Sequence, residues 1–139
     1  MKYVIDSNVA LKWVIDEPNS DKARRLRDEY RNGLCEILAP DFFIGECGYA
    51  LFKLEHQGKI VQADQLLATI LLDCPLLEES INIVATAAAI IRHIQLSFYD
   101  AMFVALAAKE GCNFVTADGG IINACTGHYP FVVDLASLP

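Results

Sequence analysis

Lys2-Tyr3-Val4-Ile5-Asp6 opens the chain as a short apolar strand that stops on a carboxylate, and Ser7-Asn8-Val9-Ala10-Leu11 runs on at once in a helical pattern. The same order returns near the other end, where Phe114-Val115-Thr116-Ala117 closes on Asp118 and a short helix is expected over 120–126. Between them, Glu36-Ile37-Leu38-Ala39 reads as a strand and Leu76-Leu77-Glu78 as a brief extended piece. Phe131-Val132-Val133-Asp134 reads as the last strand. Helices are expected over 7–15, about 20–32, 61–73, 80–95 and 98–110, with one more opened by Pro40-Asp41 and running to about Gln57. Asn19 or Ser20 and Ser97 have the chemistry of N-caps, and Gly33, Gly58 and Gly111 that of helix stops. Continuous apolar strands alternating with helices imply an α/β fold around a mostly parallel sheet covered on both faces.

The 139 residues are 54% hydrophobic, enough for one domain spanning 1–139 with a substantial core, and no repeat or linker divides them. The longest apolar stretch, Ile83 to Ile91, stops at Arg92 after nine residues, far short of a membrane span. An acid as early as Asp6 argues against a signal peptide, so a cytoplasmic protein is expected. Five cysteines, with no C-x-x-C pair and no histidine at zinc-ligand spacing, read as small thiols in a reducing compartment. Net charge is −7, unfavourable for sequence-independent binding to nucleic acid. One local exception is Lys22, Arg24, Arg25, Arg27 and Arg31, five cations within ten positions. They form either a solvated, ion-paired helix face or an edge for phosphates or a partner.

Asp6, Glu46, Asp100 and Asp118 stand out because each interrupts or ends an apolar run. In open parallel sheets, ligands bind beyond the carboxyl ends of the strands, which is where Asp6 and Asp118 fall. Asp100 shares a helical face with Phe103, Val104 and Ala107, although an acid in a first turn also simply suits the helix dipole. Glu46 has apolar Phe42, Phe43 and Ala50 around it, and Lys53 at i+7 as a candidate partner in a purely structural ion pair. Two like charges about 5 Å apart repel by roughly 3 kcal/mol at an effective dielectric of ~20. Four acids brought together would strain a domain whose whole stability is ~5–15 kcal/mol, unless some protonate or a divalent cation binds. All-oxygen ligands suit Mg²⁺ or Mn²⁺, and such a centre suits phosphodiester hydrolysis.

Four blocks then resemble the PIN domain family: Val4-Ile5-Asp6-Ser7-Asn8-Val9, Ala39-Pro40 with Glu46, Leu96-Ser97-Phe98-Tyr99-Asp100-Ala101 with Ala105-Leu106-Ala107, and Phe114-Val115-Thr116-Ala117-Asp118. The compact form looks most like the VapC-type toxins of prokaryotic toxin–antitoxin pairs. The resemblance implies a three-layer α/β/α sandwich and a Mg²⁺-dependent (or Mn²⁺-dependent) endoribonuclease acting on RNA. Asp6 and Asp100 would be the main metal ligands, with Asp118 supporting them and Glu46 holding a metal or its water. Ser7, Asn8 and Thr116 would orient the ligands, or else serve only as cap, turn and strand end. A cognate antitoxin and a homodimer are implied, with helix 41–57 a candidate contact surface. Gly119-Gly120 departs from the bulkier or basic residues more usual after the last acid, and Gly45 and Gly48 are unusual inside a helix. The alternatives are a catalytically idle PIN-fold binding module and a PIN nuclease outside toxin–antitoxin systems. A phosphotransfer receiver shares only the first acid and lacks the paired acids and the lysine.

Overall fold

The computed structural model describes every residue from Met1 to Pro139. Its five strands are β1 (Lys2–Ile5), β2 (Glu36–Pro40), β3 (Leu76–Glu78), β4 (Asn113–Thr116) and β5 (Val132–Asp134). They form one sheet in the order β3-β2-β1-β4-β5, and every neighbouring pair is parallel. Seven helices surround it: α1 (Ser7–Val14), α2 (Ser20–Arg31), α3 (Phe43–His56), α4 (Ala63–Leu71), α5 (Val84–Ile91), α6 (Phe98–Glu110) and α7 (Gly119–Cys125).

The strand alternation builds two cores. Ile5, Ile37, Ala39 and Val115 point to one face, where Trp13, Leu26, Phe43, Leu51 and Ile70 from α1–α4 meet them. Val4, Leu38 and Phe114 point to the other, against α5, α6 and α7. A run buried on both faces is what the unbroken apolar strands required. The architecture is the expected three-layer α/β/α sandwich.

α6 forms the centre of the second core. Its residues Ala101 to Ala107 are all buried, so it is apolar on every side rather than on one stripe. Ser97 caps it as expected, accepting the Asp100 N–H at 3.1 Å, and Gly111 ends it at φ 63°.

Four sequence expectations shift. Pro40 ends β2 instead of opening a helix, and α3 begins at Phe43. The helix expected over 80–95 divides into a 3₁₀ turn at Ser80–Asn82 and α5 proper. Asp41 causes this, because its carboxylate accepts both the hydroxyl and the N–H of Ser80 and pins the turn beside the end of β2. Those two bonds also hold the Asp41 carboxyl below its usual range. α4 starts two residues late, because Gln62 takes a left-handed φ of 60° and Glu55 supplies the capping acceptor for Ala63 N–H at 2.8 Å. Asn19 precedes α2 with no side-chain cap, while Ser20 instead accepts the Glu17 N–H and donates to the Ile15 carbonyl, both at 2.9 Å.

The basic run in α2 is committed to internal partners. Arg31 forms a two-pronged bond to Asp73, both contacts at 2.7 Å, and Arg24 meets Asp16 at 2.7 Å. Arg27 pairs with Asp28, Arg25 with Glu29, and Lys22 donates to the Ala136 carbonyl. The ion-paired reading of this face therefore holds. All five cysteines are free thiols, and no helix is long and apolar enough to cross a membrane.

Phe103 is fully buried, stacked on Phe114 at 5.5 Å and edge-on to Phe42 at 5.4 Å. Phe103→Ala is expected to cost about 3–5 kcal/mol, read as a lower urea midpoint at unchanged slope.

Candidate active site

β1 and β4 lie side by side at the centre of the sheet, and the chain winds away from them in opposite directions, through β2 to β3 and through β5. That reversal opens a crevice at the carboxyl ends of the two strands. Asp6 follows β1 there and caps α1, its Oδ1 accepting the Val9 N–H at 3.2 Å. Its Oδ2 accepts the hydroxyl of Thr116, the last residue of β4, at 2.5 Å. The same Thr116 oxygen accepts the Asp118 N–H at 3.1 Å. One buried hydroxyl thus ties both strand ends together.

Asp118 caps α7 through Oδ1, which accepts the N–H groups of Gly120 at 2.8 Å and Ile121 at 3.2 Å. A Cβ on Gly120 would stand 3.1 Å from that oxygen, which accounts for a glycine where a larger residue was expected. Asp100 enters from the first turn of α6, half-buried, with Ser97 as its hydrogen-bond partner. Glu46 enters from the first turn of α3, and its Oε1 is buried without any partner. Lys53, the candidate neutralising residue, forms no ion pair with it. Removing that structural explanation leaves a buried, unsatisfied carboxylate oxygen, costly unless something else meets it.

The acids feel one another. Burial, opposed in part by the bonds from Thr116 and Val9, lifts Asp6 from 3.8 to about 6, and the charges of Asp118 and Asp100 add to the rise. Burial lifts Glu46 from 4.5 to about 7, with Asp6 and Asp100 contributing. Asp100 is also raised, by burial first and by Asp118 after it, against the bond from Ser97. Cys47, beside Glu46, is pushed up to about 12 mainly by burial, and remains an inert thiol.

A hard divalent cation is the group this chemistry asks for. The donor set is all oxygen, and the partnerless Glu46 oxygen is the observation that fits it. The fit is loose, however. No three His, Cys, Asp or Glu side chains lie close enough to enclose an ion. Two of the acids spend an oxygen on helix caps and all repel, so an ion would have to draw them together.

Residues 3–126 match the PIN domain family. The chain belongs to that family. Its fold is shared with PAE2754 from Pyrobaculum aerophilum, at 21% identity over 98% of this chain and 93% of that one, with a TM-score of 0.62. The Mycobacterium tuberculosis toxin VapC20, described as cleaving the sarcin-ricin loop, shares it at 18% identity over 94% and 98% of the two chains, TM-score 0.62. VapBC2 from Rickettsia felis, solved bound to a promoter DNA fragment, shares it at 14% identity over 96% and 97%, TM-score 0.62. No curated protein matches the chain.

Of the polar residues expected beside this PIN-domain crevice, Thr116 is fully buried within it, and Ser7 lines an adjoining groove. Asn8 is exposed and bonds to none of the four acids. Sequence reading missed the groove itself, about 490 Å³ bounded by Phe42, Gly45, Glu46, Tyr49 and Tyr99. The available signal was Tyr49, one helical turn beyond Glu46.

Two outcomes follow from this geometry. In the folded chain Asp6 holds its proton from 3.8 up to about pH 6 and Glu46 from 4.5 up to about pH 7, where the unfolded chain has lost both. The folded state binds more protons in that window, so stability falls as pH rises through it and levels off above. In EDTA, wild type is expected to melt lower at pH 8 than at pH 5, and Glu46→Gln to recover part of the difference at pH 8 only. Thr116→Val removes the donor to Asp6 and the acceptor for Asp118 N–H. It is expected to cost about 1–3 kcal/mol in urea unfolding at pH 7.

Proposed function

We propose that this PIN protein is a Mg²⁺- or Mn²⁺-dependent endoribonuclease of the VapC type, cytoplasmic and held in check by a cognate antitoxin. The observation that carries the reading is the buried, partnerless oxygen of Glu46, facing Asp6 and Asp100 at the β1/β4 crevice. Asp6 and Asp100 would hold the ion, with Asp118 offering the oxygen not used on α7. When bound, the ion would neutralise charge on the phosphodiester and acidify water beside it.

This chain's own residues do the rest. Thr116 fixes the rotamer of Asp6 and the backbone of Asp118 with one hydroxyl, so the two strand ends move as a unit. Glu46, raised to about 7, can hold or release a proton at Oε1 near neutral pH, the property wanted in a group that takes the proton of an attacking water. The likeness to VapC20, a toxin that cleaves the sarcin-ricin loop, and to VapBC2, bound to a fragment of its promoter DNA, supports the toxin reading and an antitoxin partner. A homodimer is part of the proposal. Gly48 meets Leu67 of α4 within the same chain at 3.5 Å from its would-be Cβ, so a dimer contact on α3 would use the exposed Tyr49 and Phe52 instead.

The looseness of the carboxylate cluster favours the second reading, an idle PIN-fold binding module. Mn²⁺ separates the two. At 100 times its Kd the ion is expected to stabilise wild type by about 2.7 kcal/mol, and to leave Asp100→Asn unmoved. Glu46→Gln is expected to lower RNA cleavage by at least about 100-fold. Full metal-dependent cleavage by Asp100→Asn would overturn the nuclease reading.

A further inference from the structure

Asp100 differs from the other two aspartates of the crevice in its relation to its own helix. Asp6 and Asp118 are themselves the caps of α1 and α7, and each uses an oxygen on N–H groups of the first turn. Asp100 stands three residues beyond the cap of α6, and Ser97 does the capping in its place, accepting the Asp100 N–H at 3.1 Å. A glutamate or glutamine at that spacing reaches back to the N–H of the cap residue. Asp100 does not, and its carboxylate meets the Ser97 side chain instead.

The hydroxyl therefore works in both directions. Its oxygen accepts from the backbone of Asp100, and its hydrogen is left to donate to the carboxylate of the same residue. Thr116 divides its hydroxyl in the same way across the crevice, donating to Asp6 while it accepts the Asp118 N–H.

Packing already fixes the backbone around Asp100. Tyr99 and Phe103 both stand edge-on to Phe42, at 5.1 and 5.4 Å, and Ala101 and Met102 are buried. What stays free is the rotation of the half-buried Asp100 side chain, whose charge acts on both Asp6 and Glu46. An ion entering the crevice has to order that side chain, and the lost rotamer freedom weakens its binding. A donor that already holds the carboxylate in place removes part of this penalty.

We propose that Ser97 is a positioning residue of the crevice, whose hydroxyl orients the Asp100 carboxylate for a divalent cation as well as capping α6. This role rests on the metal-centre reading of the site and extends it to a residue outside the four acids.

The test separates the cap from the donor. Ser97 is exposed, so a substitution there disturbs no core. Glycine caps a helix almost as well as serine but has no hydroxyl, whereas threonine keeps both functions. Metal-free protein is titrated with Mn²⁺, and the free ion is read from its electron paramagnetic resonance signal. Ser97→Gly is expected to bind Mn²⁺ about tenfold more weakly than wild type, and Ser97→Thr within about twofold of it. In EDTA, Ser97→Gly is expected to melt within about 2 °C of wild type, as a small change of cap requires. RNA cleavage by Ser97→Gly should fall at limiting Mn²⁺ and recover when the ion is raised about tenfold, a rescue that a damaged helix would not show.

Equal Mn²⁺ affinity of Ser97→Gly and wild type overturns the assignment, and leaves the metal centre standing. A Ser97→Thr variant as weak as Ser97→Gly also overturns it, because the hydroxyl is then not what matters. Melting lowered by more than about 5 °C in EDTA, alongside weaker binding, overturns it too and leaves Ser97 a cap alone. Wild type that binds no Mn²⁺ removes the metal centre itself, and the role of Ser97 with it.

Discussion

The hydroxyl of Thr116 is the joint on which the crevice depends. It donates to Asp6 at the end of β1 and accepts from the backbone of Asp118 beyond β4, so a single buried oxygen fixes the two strand ends that face the site. Asp6 is only 4% exposed, and a carboxylate in that position is tolerated because Thr116 and the first turn of α1 both donate to it. Those bonds do not fully offset burial, and Asp6 still titrates well above an ordinary aspartate. The site is thus held in a poised condition, with enough donors to keep an acid inside and too few to make it comfortable there.

That tension runs through the cluster. Glu46 gains no donor at all on Oε1, and Asp100 has only the bond from Ser97 to set against its burial, while both feel other acids. A stable fold has to offset such a site elsewhere, and the two cores do so. Every helix that carries an acid into the crevice is anchored by buried side chains: Phe43 and Leu51 in α3, Phe103 and Leu106 in α6, Val9 in α1, and Ile121 and Cys125 in α7. Functional sites that violate local rules are commonly carried this way, on elements over-determined by packing.

Much of this was legible in the sequence. The strands of 2–6, 113–116 and 131–134 and the caps at Ser97 and Gly111 followed from apolar continuity and turn chemistry, and the parallel sheet from strand–helix alternation. What escaped depends on contacts between distant residues. Nothing local says that Asp41 will seize Ser80 and cut a helix in two, or that Glu55 will cap α4 from another helix. A face shared with a buried stripe is a weak reason to single out Asp100, because α6 is buried all round and has no single stripe. The unpaired condition of Glu46 was equally out of reach, since Lys53 sat at a spacing that allowed neutralisation and only the structure shows that no ion pair forms.

α3 reconciles the packing and the chemistry. Two glycines inside a helix cost roughly 1 kcal/mol each relative to alanine. Gly48 recovers part of that by letting Leu67 of α4 approach closely, on the side where Cys47 and Leu51 are buried. Gly45 has no such neighbour within 4 Å, and lies instead on the groove beside Glu46. Packing therefore explains one glycine and not the other. The second borders the groove beside Glu46, and no contact within the fold requires it.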